Sequence, residues 1–586
     1  MNYNLNDISA QQQKASTLRI LQKLLLLIKE ERKTLLLALL AILTNSSLNL
    51  LSPFIVGYTI DTYVVHKNYH GVLLYSGLLV VMAFAAFGVS YLQTRLMGGV
   101  GQRMLFKLRN TIFNKLQELP VAFFNQNKAG DLISRVNNDT DKINQFFSQS
   151  LMQFIGTLAT MTGAGIFLLV INIRLGIATL LPGLLIFIFT KFTSQWVKKK
   201  NAASLKSTGG LSAEIQEGLN NFKMIIAFNR RDYFRKRFEQ ANNINYVAAK
   251  SAGITNNMFI PVYGFFASIA QLIVLTYGIY LISTGLFSIG LLVSYLSYAT
   301  NFYNPLRQLA ALWTNFQMAM AGSDRISHIL NIESNLPVIE TDGEQKSSSL
   351  LEFRNVHFGY DDGKEILHNV NFNLERGRTY ALVGPTGGGK TTTASLIARL
   401  YDPVKGQVLL NGKDIRSYEP GERTTSIGFI LQEPFLFTGT VRDNILYGNE
   451  RYKEYSNEQL EEVIKSANLQ SLLAIFENGL DTNVTSGGES ISLGQKQLIA
   501  FMRAVLRNPD LLILDEATAN IDTITEQILQ NILNKLPKET TRVIIAHRLN
   551  TIQNADEIFF VNAGEVTRAG SFDHAVDMLL QEKRAS

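Results

Sequence analysis

Polar and apolar positions divide this chain near residue 307. Before it run long stretches without a charged side chain; after it, short apolar segments alternate with turns and charged helical faces. A helix crossing a bilayer needs ~20 predominantly apolar residues. Leu35–Ile60, Val72–Thr94 and Phe146–Ile173 meet that requirement without one charge, and Leu175–Thr190 extends past Lys191 through Phe192–Val197. Ile254–Leu306 also lacks ionised side chains and is long enough for two spans, with Ser283-Thr284-Gly285 as the turn between them. The pattern predicts six membrane spans, because soluble cores seldom string together so many such runs. Pro53, Pro182, Pro261 and Pro305 fall inside these helices and predict kinks.

The connections sort by charge. Arg95–Gln145 carries eight Lys or Arg residues and Lys191–Lys250 carries twelve, whereas Asp61–Gly71, Asn172–Arg174 and Ser283–Phe287 contain only Lys67 and Arg174. Lys and Arg concentrate on the cytoplasmic side, so both termini and both long segments are expected there. Lys198–Lys200 is an inside flank on this reading and calls for no nucleic acid. Met104–Leu119 and Leu211–Phe228 repeat apolar residues at helical spacing. The two segments therefore read as spans continuing beyond the bilayer and closed by short tips, one at 123–130 and one around Gly209–Glu217. An extension of ~25 residues reaches ~37 Å. Aromatic residues crowd the last two spans (Tyr263, Phe265, Tyr295, Tyr298 and Tyr303 among them), either lining an amphipathic cavity or packing between helices.

Composition agrees with a membrane domain joined to a soluble one. The 586 residues are 46% hydrophobic and only 18% charged, with a net charge of +7 and no cysteine, which excludes disulfides, thiolate metal sites and a cysteine nucleophile. The polar start M-N-Y-N-L-N-D-I-S-A-Q-Q-Q predicts no cleavable signal peptide, and no peptidase-like stretch precedes the first span. The expected division is an N-terminal segment 1–32, a transmembrane domain 33–330, a polar linker 331–350 and a soluble domain 351–586.

Gly384–Thr391 reads G-P-T-G-G-G-K-T and fits the phosphate-loop pattern at every fixed position. A loop whose N–H groups converge on phosphate needs backbone freedom and no Cβ in the way. Arg378–Val383 enters it as a strand and Thr391–Leu400 leaves it as a helix, whose positive end faces the anion. Gly384, Pro385, Thr386, Gly387, Gly388, Gly389, Lys390, Thr391 and Thr392 form the candidate nucleotide set, with Lys390 reaching the β- and γ-phosphates and Thr391 ligating Mg²⁺. Tyr360, after the strand pattern Leu351–Tyr360, is positioned to stack on adenine. Asp510–Glu516 (D-L-L-I-L-D-E) reads as a buried parallel strand ending in carboxylates where such sheets bind ligands. Asp515 is the candidate Mg²⁺ holder and Glu516 the group that polarises the attacking water. His547, after the apolar run Arg542–Ala546, is placed to contact the γ-phosphate.

Taken together these strings resemble an ABC exporter half-transporter: an α-helical transmembrane domain of six spans with long cytoplasmic extensions, fused to an α/β P-loop ATPase domain. The likeness covers nearly the whole chain. It rests on F-F-N-Q-N-K-A-G-D-L-I-S-R-V-N-N-D (123–139), the phosphate loop, L-Q-E-P-F-L-F-T-G-T-V-R-D-N-I (431–445), I-S-L-G-Q-K-Q (491–497), L-D-E-A-T-A-N-I-D (514–522) and I-A-H-R-L (545–549). The resemblance implies ATP with Mg²⁺, Gln432 at the metal and sensing the γ-phosphate, Glu516 as general base, Asp522 in a loop crossing a dimer interface, and His547 as a switch histidine. It also implies ATP-driven export across the cytoplasmic membrane by alternating access, with a lipid bilayer and a second half-transporter as partners and no nucleic acid.

One departure matters. The family signature L-S-G-G-Q reads here Ile491-Ser492-Leu493-Gly494-Gln495, with Leu493 where backbone should approach a γ-phosphate held by the partner chain; Val484-Thr485-Ser486-Gly487 just before it lacks the usual glutamate. The resemblance makes each ATP site composite, so a homodimer would carry the defect twice and a heterodimer only once. A heterodimer is therefore expected, with this chain supplying intact Glu516 and His547. The alternatives are a homodimeric lipid-flippase-type exporter, an ATP-gated or regulatory membrane protein, and a soluble DNA-repair or translation ATPase, which the uncharged runs oppose. An importer is disfavoured because importers generally keep the two parts on separate chains.

Overall fold

The computed structural model describes residues 3–5, 31–333, 336–340, 349–360, 364–485, 491–515, 523–545, 553–570 and 572–585. Long helices dominate the first half: α1 (Arg32–Thr59), α2 (Tyr69–Glu118), the six-residue α3 (Val121–Gln126), α4 (Leu151–Ile171), α5 (Ile173–Asn220), the short α6 (Phe222–Ala227), α7 (Arg231–Asn257), α8 (Phe259–Ser283) and α9 (Ile289–Leu330). The chain divides into two units, Ser9–Leu116 with Gly130–Asn331, and Met1–Ile8 with Gln117–Ala129 and Ile332–Ser586. The first tip thus belongs with the C-terminal unit, a grouping that boundaries drawn along the sequence do not express.

In the helical unit, five stretches are long and apolar enough to cross a membrane among the described residues: Arg32–Val64, Tyr69–Glu118, Ala129–Ile171, Ile173–Asn220 and Arg231–Ser283. The sixth expected span is the first half of α9, a helix whose apolar density is diluted by Tyr295, Tyr298, Asn301, Tyr303 and Asn304. At 50 residues, α2 would extend about 75 Å, more than twice a hydrocarbon core, so much of it lies beyond any bilayer. Helices run through Pro53, Pro182 and Pro305. Pro261 instead falls in the first turn of α8, where its missing N–H costs nothing.

The second tip departs from expectation. Gly209 and Gly210 do not break the chain; α5 continues to Asn220, and the reversal is made by Asn221–Arg230 around α6. A helical glycine costs only about 1 kcal/mol, too little to interrupt a helix packed along α7. Arg237 of α7 ties the pair by pairing with Glu214 at 2.6 Å and Glu217 at 3.1 Å. Asn229, at φ 50°, makes the left-handed turn that asparagine tolerates.

Most of the buried tyrosines of the last two spans serve packing. The hydroxyls of Tyr295, Tyr298 and Tyr303 donate to the carbonyls of Leu168 (2.7 Å), Leu50 (2.7 Å) and Thr179 (2.6 Å) on other helices. These carbonyls belong to α4, α1 and α5, so α9 is pinned to three neighbours at once. At its start, α9 crosses α1 so closely that a Cβ on Gly290 would fall on the Gly57 carbonyl. Asp61 fills the adjoining space, accepting from the Gly290 N–H at 2.7 Å and from the Ser288 hydroxyl, and so offsets the positive end of the helix. Further along, Asp139 is buried and accepts two N–H groups of Arg325, with Lys142 at 3.1 Å.

Two large sheets carry the C-terminal unit, beside a two-stranded antiparallel ribbon of Gly439–Thr440 with Asn483–Val484. Strands β1 (Ser349–Phe358), β2 (Leu367–Glu375), β4 (Lys405–Leu410) and β5 (Lys413–Asp414) form an antiparallel sheet in the order β2–β1–β4–β5, with β3 (Thr379–Val383) intervening in sequence. A six-stranded sheet runs β10–β9–β3–β8–β7–β6, made by β3 with β6 (Ile427–Ile430), β7 (Leu511–Asp515), β8 (Thr541–Ile545), β9 (Glu557–Asn562) and β10 (Glu565–Gly570). All pairs except β9–β10 are parallel. Every residue of β7 is buried, as expected of a strand covered on both faces. Helix α10 (Lys390–Ile397) packs beside β7.

Candidate functional site

The parallel strands end together. Asp515 pairs with Ile545, Ile545 with Leu382, and Val383 runs directly into Gly384. Ligands bind outside the carboxyl ends of such strands. Here the chain turns through Gly384 (φ 146°), Gly387 (φ 84°) and Gly389 (φ 115°), in the half of backbone space that only glycine enters freely. Sterics add to this at two of them. A Cβ on Gly384 would fall on the Val561 carbonyl, and one on Gly389 would stand 2.7 Å from the buried Leu367 side chain. Gly387 faces open space.

Gly389 precedes the first residue of α10, so the N–H groups of that helix's first turn face the loop. Lys390 is buried, and its ammonium donates to the carbonyls of Gly384 (2.9 Å) and Pro385 (2.8 Å). The Gly388 N–H donates to Pro385, and the Gly564 N–H to the Gly388 carbonyl at 3.2 Å, which seats the loop against the β9–β10 turn. Thr391 is exposed and Thr392 buried. Asp515 is buried at the end of β7. The concave glycine backbone, the ammonium and the strand-end carboxylate suit a polyphosphate accompanied by a divalent cation. Gln432 is exposed in the segment after β6.

Tyr360 is 39% exposed. Its hydroxyl lies 3.1 Å from that of Thr392, and its edge meets Tyr401 at 5.0 Å between centroids. Tyr401 links this platform to the first tip, since the Asn125 amide donates to its hydroxyl at 2.7 Å. Burial pushes the Tyr401 hydroxyl above the ordinary tyrosine range, the Asn125 bond pulling the other way, so it stays protonated at neutral pH. On its other side the tip holds two residues of the chain's start. Gln126 accepts from the Tyr3 N–H, and Asn127 accepts from the Leu5 N–H while donating to the Tyr3 carbonyl; both Tyr3 and Leu5 are buried. Sequence patterning did not single out Tyr401 or Asn125 as a pair, because nothing local links positions 276 residues apart.

The signature segment is described from Ile491. Ser492 caps α11 (Leu493–Val505), its hydroxyl accepting from the Gln495 N–H while the Gln495 side chain accepts from the Ser492 N–H. Leu493 is the first helical residue, and its side chain is 38% exposed. Gly494 follows, half-buried. Glu516, Asp522 and His547 lie outside the described residues.

Comparison with known proteins agrees along nearly the whole chain. Residues 35–306 match the model of the ABC transporter transmembrane region, and residues 367–519 match that of the ABC transporter. An uncharacterized ABC transporter ATP-binding protein of Bacillus subtilis, YfiC, is 34% identical over 552 residues, covering 92% of this chain and 89% of that protein. A multidrug resistance ABC transporter ATP-binding and permease protein of Lactococcus lactis is 30% identical, covering 85% and 84%. The solved structure of a bacterial Atm1-family ABC exporter with ATP bound superposes with a TM-score of 0.76 at 25% identity, covering 94% of this chain and 96% of the other.

Proposed function

This chain belongs to the ABC transporter family, as an exporter in which membrane and ATPase domains are fused, and we propose that it is one half of a heterodimer whose ATP sites are unequal. ATP hydrolysis coupled to transport follows from the family. What is particular to this chain is Leu493. It puts an exposed isobutyl group at the first residue of α11, the place where the resemblance requires close approach to a partner's γ-phosphate. That observation carries the heterodimer reading, since a partner with a glycine there would complete one competent site opposite this chain's Lys390.

In that site Gly384–Thr392 cradle the phosphates and Lys390 exchanges two backbone carbonyls for the β- and γ-phosphate oxygens. Thr391, Asp515 and Gln432 would hold Mg²⁺, which neutralises charge on the phosphates. Tyr360 supports the adenine, Glu516 accepts the proton of the attacking water, and His547 orients that water, while the resemblance implies a dimer-boundary role for Asp522. Closure passes through Tyr401 and Asn125 to the first tip, turning the membrane domain from inside- to outside-facing; ATP's differing affinity for the two states supplies the bias. The charge asymmetry of the connections supports a cytoplasmic-membrane location with the ATPase domain inside.

The test is to purify the chain alone. A homodimer should hydrolyse ATP slowly, Leu493→Gly should accelerate it about tenfold or more, and Glu516→Gln should abolish turnover while retaining ATP. Fast cooperative hydrolysis by the unmodified homodimer would refute the unequal-site reading.

A further inference from the structure

A cavity of about 480 Å³ opens within the helical unit, walled by α1, α2, α4 and α9. Its chemistry is unusual for a membrane interior. Six carboxamide side chains line it: Asn45, Asn49, Gln93, Gln153, Gln308 and Asn315. Their spacing is helical. Asn45 and Asn49 stand one turn apart on α1, and Gln308 and Asn315 two turns apart on α9, so each helix turns one amide stripe inward. Asn315 donates to Ser150 at 3.1 Å. The other five make no hydrogen bond to another described residue, and Asn49, Gln153 and Gln308 are exposed. Apolar surface from Ile42, Met152 and Leu312 completes the wall. No residue described as lining the cavity is ionisable.

Carboxamides facing hydrocarbon would be left unsatisfied, so their convergence marks a space that holds water or a hydrogen-bonding solute. An amide side chain offers donors and acceptors together and so complements amide and hydroxyl groups of a guest. A cation or carboxylate entering this space would lose hydration and find no counter-charge. We propose that this cavity binds the cargo, and that the cargo is an amphipath whose polar part is uncharged and rich in amide or hydroxyl groups. This inference rests on the exporter reading above.

Three probes sharing a twelve-carbon tail separate the possibilities: dodecanoyl-Gly-Ser-amide (neutral), dodecanoate (anionic) and dodecyltrimethylammonium (cationic). Equilibrium binding to the assembled, nucleotide-free transporter in nanodiscs reads the cavity without requiring turnover. The neutral probe should bind tightest. Gln153→Leu and Gln308→Leu should each weaken it about fivefold, as loss of one hydrogen bond would, with assembly unchanged. Asn49→Asp should raise affinity for the cationic probe about tenfold. The proposal is overturned if either charged probe binds as tightly as the neutral one, or if the leucine variants leave its binding unaltered. It is equally overturned if those variants break the assembly, which would make the amides a subunit interface. ATP-driven movement of the neutral probe in vesicles tests the exporter reading separately. Selective binding without movement would leave the cavity assignment standing and remove the exporter one.

Discussion

Replacing the phosphate-loop glycines one at a time with alanine gives a graded test of the nucleotide site. At Gly387 the added methyl meets nothing, so the cost is only the left-handed backbone, about 1–2 kcal/mol. At Gly389 the same backbone cost is joined by a methyl 2.7 Å from the side chain of Leu367, which is fully buried and must be displaced. Crowding a packed core costs about 1–3 kcal/mol, for a total of about 2–5 kcal/mol. At Gly384 the methyl lands on the backbone carbonyl of Val561, which has no rotamer to yield, so the penalty should exceed that at Gly389. The loop can relieve the strain by shifting, which transfers the cost to nucleotide affinity. The expected losses in affinity are about 5- to 30-fold for Gly387→Ala and about 30- to 5000-fold for Gly389→Ala, with Gly384→Ala weaker still. The assay is equilibrium binding of a fluorescent ATP analogue to the full-length protein in detergent, with thermal unfolding as a check that the variants remain folded. Gly389→Ala within threefold of the unmodified protein, or Gly387→Ala as the weakest binder of the three, would refute this account of the loop.

Two further substitutions probe contacts outside the loop. Tyr401→Phe keeps the ring against Tyr360 but removes the acceptor for Asn125, a loss of about 1 kcal/mol at the tip. ATP affinity should stay unchanged while cargo moved per ATP hydrolysed falls severalfold, measured by parallel transport and phosphate-release assays. Tyr298→Phe strips the Leu50 carbonyl of its buried donor and should lower stability by about 1 kcal/mol, read as a drop of about 1–2 °C in Tm without change in ATP affinity.

The architecture was legible in the sequence to the extent that it is local. Uncharged runs located the helices, Ser283-Thr284-Gly285 the last reversal, and the strand–glycine–helix succession the turn from β3 into α10. The second tip was misplaced because a glycine pair looks like a break, whereas helix–helix packing and the Arg237 pairs carry α5 through it. Contacts between distant positions left no local trace. Asp61 against Gly290, Tyr298 against Leu50, and Tyr401 against Asn125 each join residues more than 220 positions apart. The start of the chain read only as polar, yet Tyr3 and Leu5 are buried against the first tip. The amide stripes were also missed. Asparagine and glutamine do not interrupt an uncharged run, and only the assembled helices bring those side chains to a common space.

The central claim is that nucleotide at the Lys390 loop changes which side of the membrane the cavity faces. The chain contains no cysteine, so Gln153→Cys introduces a single reactive thiol at the cavity. Labelling it in oriented vesicles with a membrane-impermeant maleimide, with and without ATP in a Glu516→Gln background, measures that change directly. Reaction from the ATPase side without nucleotide, switching to the opposite side when ATP is held, is the predicted result; labelling from the same side in both states would contradict the account.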